Sequence, residues 1–205
     1  MNARRRDDAF PPLARSELPT DTAVLARFLI GKSVARELPE GVVAGRIVET
    51  EAYVIGDAAG HAYRGMTPRN RSLFREPGRA YVYVAYGLSN MLNVSSEPEG
   101  VGGGVLIRAL EPLQGVAIMQ LNRGVERLQD LARGPGRLAQ AMRIDRSLDG
   151  LDLCQKGPIW LARGAPVTDE IGVSLRIGIT KDAHRLLRFY VRNNAFVSGP
   201  RSLNV

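Results

Sequence analysis

Glu49 and Glu51 sit near the end of a β-prone run, GRIVETEAY, over residues 45–53. Positions two apart on a strand point to the same face, so the two carboxylates face the same way. At the lip of a polar loop, Glu51 has the chemistry of a general base, a carboxylate able to take a proton from water. A pair of solvated surface acids is the plainer alternative. Tyr53, Tyr81, Tyr83 and Tyr86 fall within 34 positions, with His61 between them. Tyrosines on strands are often half-buried packing residues, but flat rings beside cations also suit stacking on nucleic-acid bases. Arg69 and Arg71 bracket Asn70 after Pro68, either as solvated loop residues or as phosphate clamps. Arg108 lies in an otherwise apolar run and needs an acceptor if buried, for which Glu51 is a candidate. Gly134-Pro135-Gly136-Arg137 opens a helix whose free N–H groups could receive a phosphate.

Other chemistries lack their residues. Cys154 is the only cysteine, and His61 and His184 are the only histidines. A disulfide framework is excluded, a dedicated metal centre is not expected, and a reducing compartment fits. There is no phosphate-binding G-x-x-x-x-G-K, no dinucleotide fingerprint after a first strand, no nucleophile elbow and no H-E-x-x-H. The glycines 102–104 precede a strand, which is the wrong context for that fingerprint. Lys32, Lys156 and Lys181 lie away from the residues above, which argues against Schiff-base chemistry. Lys and Arg number 28 against 21 acids, a net charge of +7, and such a surface attracts polyanions. No apolar run reaches the ~18 residues of a membrane span.

Residues 1–17, with Arg4-Arg5-Arg6 and Pro11-Pro12, read as a flexible basic tail rather than a secretory leader, and residues 18–205 as one domain. Asp21 is placed to cap a helix through Val24, Leu25, Phe28 and Leu29, stopped at Gly31. Strands are expected over 33–38, 42–49, 79–86, 91–95, 105–108, 159–162, 172–179 and 186–191. The turn 87–90 leaves Tyr86 at a hairpin tip. Helices are expected near 113–121, 125–132 and from Pro135. The long loop 54–78 carries His61 and Arg69; loops of this length inside a compact domain are either functional or disordered. The class is α+β: a mainly antiparallel sheet with flanking helices.

Taken in order, GRIVETEAY (45–53), TPRNR (67–71), YVYVAYGLSNMLNVSS (81–96), LIRALEPLQG (106–115), the helix start 134–141 and LRFYVR (187–192) resemble the alkyladenine (3-methyladenine) DNA glycosylases over roughly 21–198. The resemblance implies a monofunctional enzyme without metal or organic cofactor. Its expected partner is double-stranded DNA containing damaged purines, met as a monomer in the nucleoid, or in the nucleus of a eukaryote. By matching position, Glu51 is the general base and Arg108 helps hold the attacking water. Tyr53, His61 and Tyr83 line the base pocket, and Asn93 crowds the amino group of normal guanine. The Ile177 carbonyl is a further water ligand. Tyr86, at the tip of a DNA-inserting hairpin, enters the duplex, and Arg69, Arg71 and Arg137 contact DNA.

Overall fold

The longest strand, β2 (Gly41–Tyr53), organises the sheet in this computed structural model, which describes residues 9–164 and 170–204. On one edge β2 pairs with β5 (Gly104–Gln114). Its other edge pairs first with β1 (Ser33–Leu38) and then, over Glu49–Glu51, with β8 (Arg188–Val191). Beyond β5 lie β4 (Ser89–Ser95) and β3 (Ala80–Ala85); beyond β1 lies β6 (Ile159–Ala162), and β7 (Ile171–Ser174) pairs with β8. All these pairings are antiparallel. Among the described residues, four α-helices accompany the curled sheet: α1 (Thr22–Leu29), α2 (Val116–Arg123), α3 (Leu128–Leu131) and α4 (Pro135–Ala141). The expected mixed single domain with an antiparallel sheet is present.

α1 forms where its sequence pattern places it. The Asp21 carboxylate accepts from the Val24 N–H at 2.8 Å, and Leu25, Ala26 and Leu29 bury the opposite stripe. A second cap comes from afar: Glu97, before β5, accepts from the Thr22 N–H at 3.0 Å. Thr50 on β2 donates to the Ala26 carbonyl at 2.8 Å, which locks the helix to the strand that carries the two glutamates.

Several boundaries differ from the sequence reading. The helix expected from 113 begins at Val116, because β5 continues through Gln114 until Gly115 turns the chain with φ 70°. The helix expected over 125–132 is one turn, Leu128–Leu131. The strand expected over 172–179 ends at Ser174, so Ile177 lies in a loop. Residues 9–17, drawn as part of a loose tail, pack on the sheet: Leu13 is buried, its N–H donates to the Leu161 carbonyl at 2.9 Å, and Arg15 pairs with Asp152 at 2.6 Å. Arg4, Arg5 and Arg6 lie outside the described residues.

The pairing register is what brings the site together. Tyr81 pairs with Asn93, Asn93 with Leu106, Leu106 with Glu51 and Glu51 with Arg188. Directly paired residues share a face, so one row across five strands carries these side chains to one side. Two register shifts flank Glu49. The first leaves Val48 without a partner on β5, and the second leaves Arg108 without one on β2. Such bulges bend a strand and re-aim its side chains, and here they keep Glu49, Glu51 and Arg108 together.

The loop 54–78 closes over this face because β5 is entered through glycines. A Cβ at Gly102 would lie 2.5 Å from the Phe74 ring, and one at Gly104 2.6 Å from Leu73. Asn70 fastens the loop from inside: its amide donates to the carbonyls of His61 (2.8 Å) and Gly65 (3.0 Å) and accepts from the Thr67 N–H at 2.6 Å.

Candidate active site

Between this loop and the curled sheet lies a cavity of about 460 Å³, within the range of small-ligand sites. Tyr53 from β2, Tyr81 and Tyr83 from β3, Asn93 from β4, and Leu106 and Arg108 from β5 line it. His61 and Arg69 contribute from the loop, and Ile177 from the 175–180 segment.

Glu51 lies directly behind that wall and is fully buried. Its Oε1 accepts from the Ile177 N–H at 2.7 Å and faces Arg108 Nη1 at 3.2 Å, while Oε2 accepts from the Tyr53 hydroxyl at 3.0 Å. All three partners are residues that line the cavity. Burial pushes the Glu51 carboxyl above its ordinary range, against the downward pull of Arg108, Ile177 and Tyr53. Glu49 is also fully buried but tends the other way. Burial alone would raise it, yet Arg108 and Arg188 hold it below the usual carboxylate range. The alternative of two surface acids is therefore overturned: both point inward, onto two arginines. Arg108 becomes harder to deprotonate than usual, because the two carboxylates outweigh its desolvation.

The aromatic wall is preorganised. His61 meets Tyr83 edge-on with ring centres 4.4 Å apart, and Tyr83 stacks on Tyr81 at 5.4 Å. His61 Nδ1 lies 2.9 Å from the Tyr81 hydroxyl. Partial burial, then Arg69, lowers the His61 pKa, favouring the neutral ring. Burial raises the Tyr81 phenol to about 12. Asn93 is buried, its amide donating to the Tyr81 carbonyl at 3.2 Å. The Tyr53 ring has the Arg176 guanidinium 4.7 Å above it, and Arg176 in turn pairs with buried Asp57. Tyr53 is thus fixed at both its hydroxyl and its ring.

The basic residues are not gathered in one place. Arg69 lines the cavity, and with Arg146 it flanks a shallow groove along Val82–Val84. Arg71 faces a separate groove beside Phe74 and Asp149. Arg137 is exposed on α4, 3.4 Å from Asp130. Tyr86 stands at the hairpin tip, 89% exposed, with φ 52°. Ile177 reaches Glu51 through its N–H, a contact separate from the water-ligand place that the resemblance implies for its carbonyl.

Several residues of the site went unnoticed in the sequence. Tyr81 was seen only as one tyrosine of a cluster, although its position two residues before Tyr83 puts both on one face of β3. Tyr63, at the cavity mouth, and Arg146 were passed over. Arg176 and Arg188 had no local signal, and Glu49 was visible only as the neighbour of Glu51 on one strand face, because each is given meaning by partners far along the chain.

Comparison with known proteins identifies the family. Residues 16–195 match the model of a family described as methylpurine-DNA glycosylase (MPG). A protein of Mesorhizobium japonicum, named by inference a 3-methyladenine DNA glycosylase, is 75% identical over 198 residues, 97% of this chain and 95% of the relative. Proteins given the same name in Paraburkholderia phytofirmans and Methanocella arvoryzae are 50% and 45% identical, over 95% and 92% of this chain and 91% and 96% of their own. The chain belongs to the methylpurine-DNA glycosylase family, whose members are hydrolases of N-glycosyl bonds in DNA.

Proposed function

We propose that this enzyme flips an alkylated or deaminated purine nucleotide out of double-stranded DNA and cleaves its glycosidic bond by attack of water. The substrates are 3-methyladenine, 7-methylguanine, hypoxanthine and ethenoadenine, and the products a free base and an abasic site that starts base excision repair. The observation that carries this reading is the buried Glu51 carboxylate, held by two hydrogen-bond donors and one arginine that belong to the wall of an aromatic cavity.

A stacked base shields its glycosidic carbon, so the nucleotide has to leave the duplex, at a cost of a few kcal/mol. Tyr86 fills the gap left behind, and its flat ring suits a wedge. Arg69, Arg71 and Arg137 draw in phosphates. In the cavity the extruded purine lies between Tyr53 and the Tyr83–His61 pair. An N3- or N7-alkylated purine is cationic, and a desolvated cation over such rings gains about 2 kcal/mol. Asn93, held by the Tyr81 carbonyl, occupies the space that the amino group of normal guanine needs, which works by exclusion.

Cleavage builds positive charge on the sugar, as in other glycosyl transfers. Glu51 Oε2 accepts one protein hydrogen bond, from Tyr53, and a carboxylate oxygen has a second lone-pair direction for water. Ionised Glu51 orients and deprotonates that water and stabilises the sugar cation, while Arg108 and the Ile177 N–H hold Oε1. No lysine lines the cavity among the described residues, consistent with hydrolysis rather than Schiff-base chemistry. The enzyme acts as a monomer.

A base-release assay on duplexes carrying each of the four lesions, followed by alkali to break abasic sites, tests the proposal. Release of at least one alkylated purine is expected. Intact strands with every lesion sink it.

A further inference from the structure

Glu49 has no part in the reaction described above, yet it is bonded from several sides. Its Oε1 accepts from Arg108 Nε at 2.9 Å, Arg188 Nε at 2.7 Å and the Ser198 hydroxyl at 3.0 Å; Oε2 accepts from the Ser198 N–H at 2.7 Å. Arg188 is fully buried and spends its remaining N–H groups on Ser174, the carbonyls of Ser198 and Leu203, and the Asn204 side chain. It also lies 4.6 Å over the Tyr190 ring. Two carboxylates and two guanidiniums thus form a neutral cluster, framed by β2, β5, β8 and the segment 198–204.

We propose that Glu49 is a positioning residue. It grips the Nε edge of Arg108 so that Nη1 alone faces Glu51, and Arg188 with residues 198–204 is the frame that fixes Glu49. The inference rests on Glu51 being the base. Arginine prefers a bidentate, fork-to-fork pair with a carboxylate. With a single acidic partner, Arg108 would turn both donors onto Glu51, neutralise it and take the lone pair that the water needs. Glu49 competes for the same guanidinium, so that Arg108 meets Glu51 through one nitrogen only and Glu51 stays basic. The charged or titratable groups facing the Glu49–Glu51 pair are Arg108 from β5, Arg188 from β8, Tyr53 from β2 itself and Tyr83 from β3; Ser198 adds neutral donors.

The test is single-turnover release of 7-methylguanine from duplex DNA as a function of pH. That base is already cationic, so the acid limb reports the enzyme and not protonation of the lesion. In Glu49→Gln the acid limb moves down by about one pH unit, because a nearby opposite charge gains weight on Glu51. The plateau rate falls about 10²-fold, the cost of a reacting group misplaced by about 1 Å, and affinity for the lesion duplex is kept. Glu49→Asp retains the charge and leaves the acid limb in place while lowering the plateau. A folded Gln variant with an unmoved limb, or Gln and Asp moving it alike, overturns the proposal. If Glu49→Gln does not fold, ¹³C-carboxyl NMR titration of the unsubstituted enzyme decides, with Glu51 assigned through Glu51→Gln. Glu49 must remain ionised through the range in which Glu51 titrates, and the reverse order overturns the proposal. An unsubstituted enzyme that releases no base would instead defeat the glycosylase reading, and the titration would still test the cluster.

Discussion

The charge cluster on β2, β5 and β8 and the tip of the β3–β4 hairpin are built on opposite principles. In the cluster, Glu49, Glu51, Arg108 and Arg188 are all buried and linked by ion pairs and hydrogen bonds. At the tip, Tyr86 and Leu88 are 89% and 87% exposed, on a turn where Tyr86 has φ 52° and Gly87 φ 69°. Fixed dipoles and charges act most strongly where water is excluded and nothing has to reorganise, which is what glycosidic cleavage requires. Deforming a duplex needs the reverse, an apolar wedge that stands clear of the protein. Substitutions in the cluster should therefore cost both chemistry and stability, while those at the tip should cost DNA distortion alone.

The largest effect is expected from Glu51→Gln. Glutamine fits the same space and can still accept from the Ile177 N–H, but it is a poor base and carries no charge. Single-turnover base release should fall by about 10²–10⁴-fold, the range of a general base, with affinity for lesion DNA preserved in a gel-shift titration. Activity within a few-fold of the unsubstituted enzyme would take Glu51 out of the mechanism.

Next comes Arg108→Met, which leaves Glu51 with no cationic partner. Breaking a buried ion pair from one side costs about 3–5 kcal/mol, read as a lower urea midpoint. The pH dependence sharpens the comparison. Glu49, whose folded pKa is depressed, contributes stability above the ordinary carboxylate pKa, and this is lost as pH falls through the depressed value. Glu51, whose folded pKa is raised, adds no penalty below the ordinary value and costs stability as pH climbs toward the raised one. Without Arg108 both effects worsen at neutral pH, and both fade once the carboxyls are protonated. The deficit in urea midpoint should thus shrink on acidification. A deficit independent of pH would mean that packing, and not charge, sets the role of Arg108.

The same contrast explains what the sequence could reveal. Glu51 and Arg108 drew notice as charged groups on apolar strands, whereas Asn93 and the pocket place of Tyr83 came only from the matching motifs of the family resemblance; the fold puts Tyr83, Asn93 and Arg108 on the cavity wall with Glu51 behind it. The hairpin was legible because Gly87 marks its turn between two β-prone runs. Glu49 was equally visible as a residue but not as a buried one. Its burial depends on Arg188 and Ser198, 139 and 149 positions away, and no local pattern reports such partners. Arg176 was missed for the same reason, since its acceptor Asp57 is 119 positions distant. The Ile177 N–H contact with Glu51 was not legible because it comes from an irregular loop, where side-chain periodicity gives no orientation. The helix expected near 113–121 is present but starts three residues late, because β5 runs on past a bulge near Leu113 and only Gly115 breaks it.

The smallest effect on stability, and the sharpest separation of the two regions, should come from Tyr86→Gly. A left-handed backbone costs a non-glycine residue about 1–2 kcal/mol, and the side chain lost is almost wholly exposed. Glycine relieves that strain while adding freedom to the unfolded chain, worth about 0.4–1 kcal/mol against it. The two nearly cancel, so the melting temperature should hold or rise slightly. Base flipping should still weaken, because the ring proposed to fill the gap in the duplex is gone; 2-aminopurine fluorescence beside a lesion reads this directly. Tyr86→Phe keeps both ring and strain and should flip normally. If Tyr86→Gly flips as well as the phenylalanine variant, the exposed ring is no wedge, and the strained turn at this tip has no assigned purpose. If instead it unfolds the protein, the tip carries stability after all, and the division between a buried chemical centre and an expendable protruding wedge is wrong.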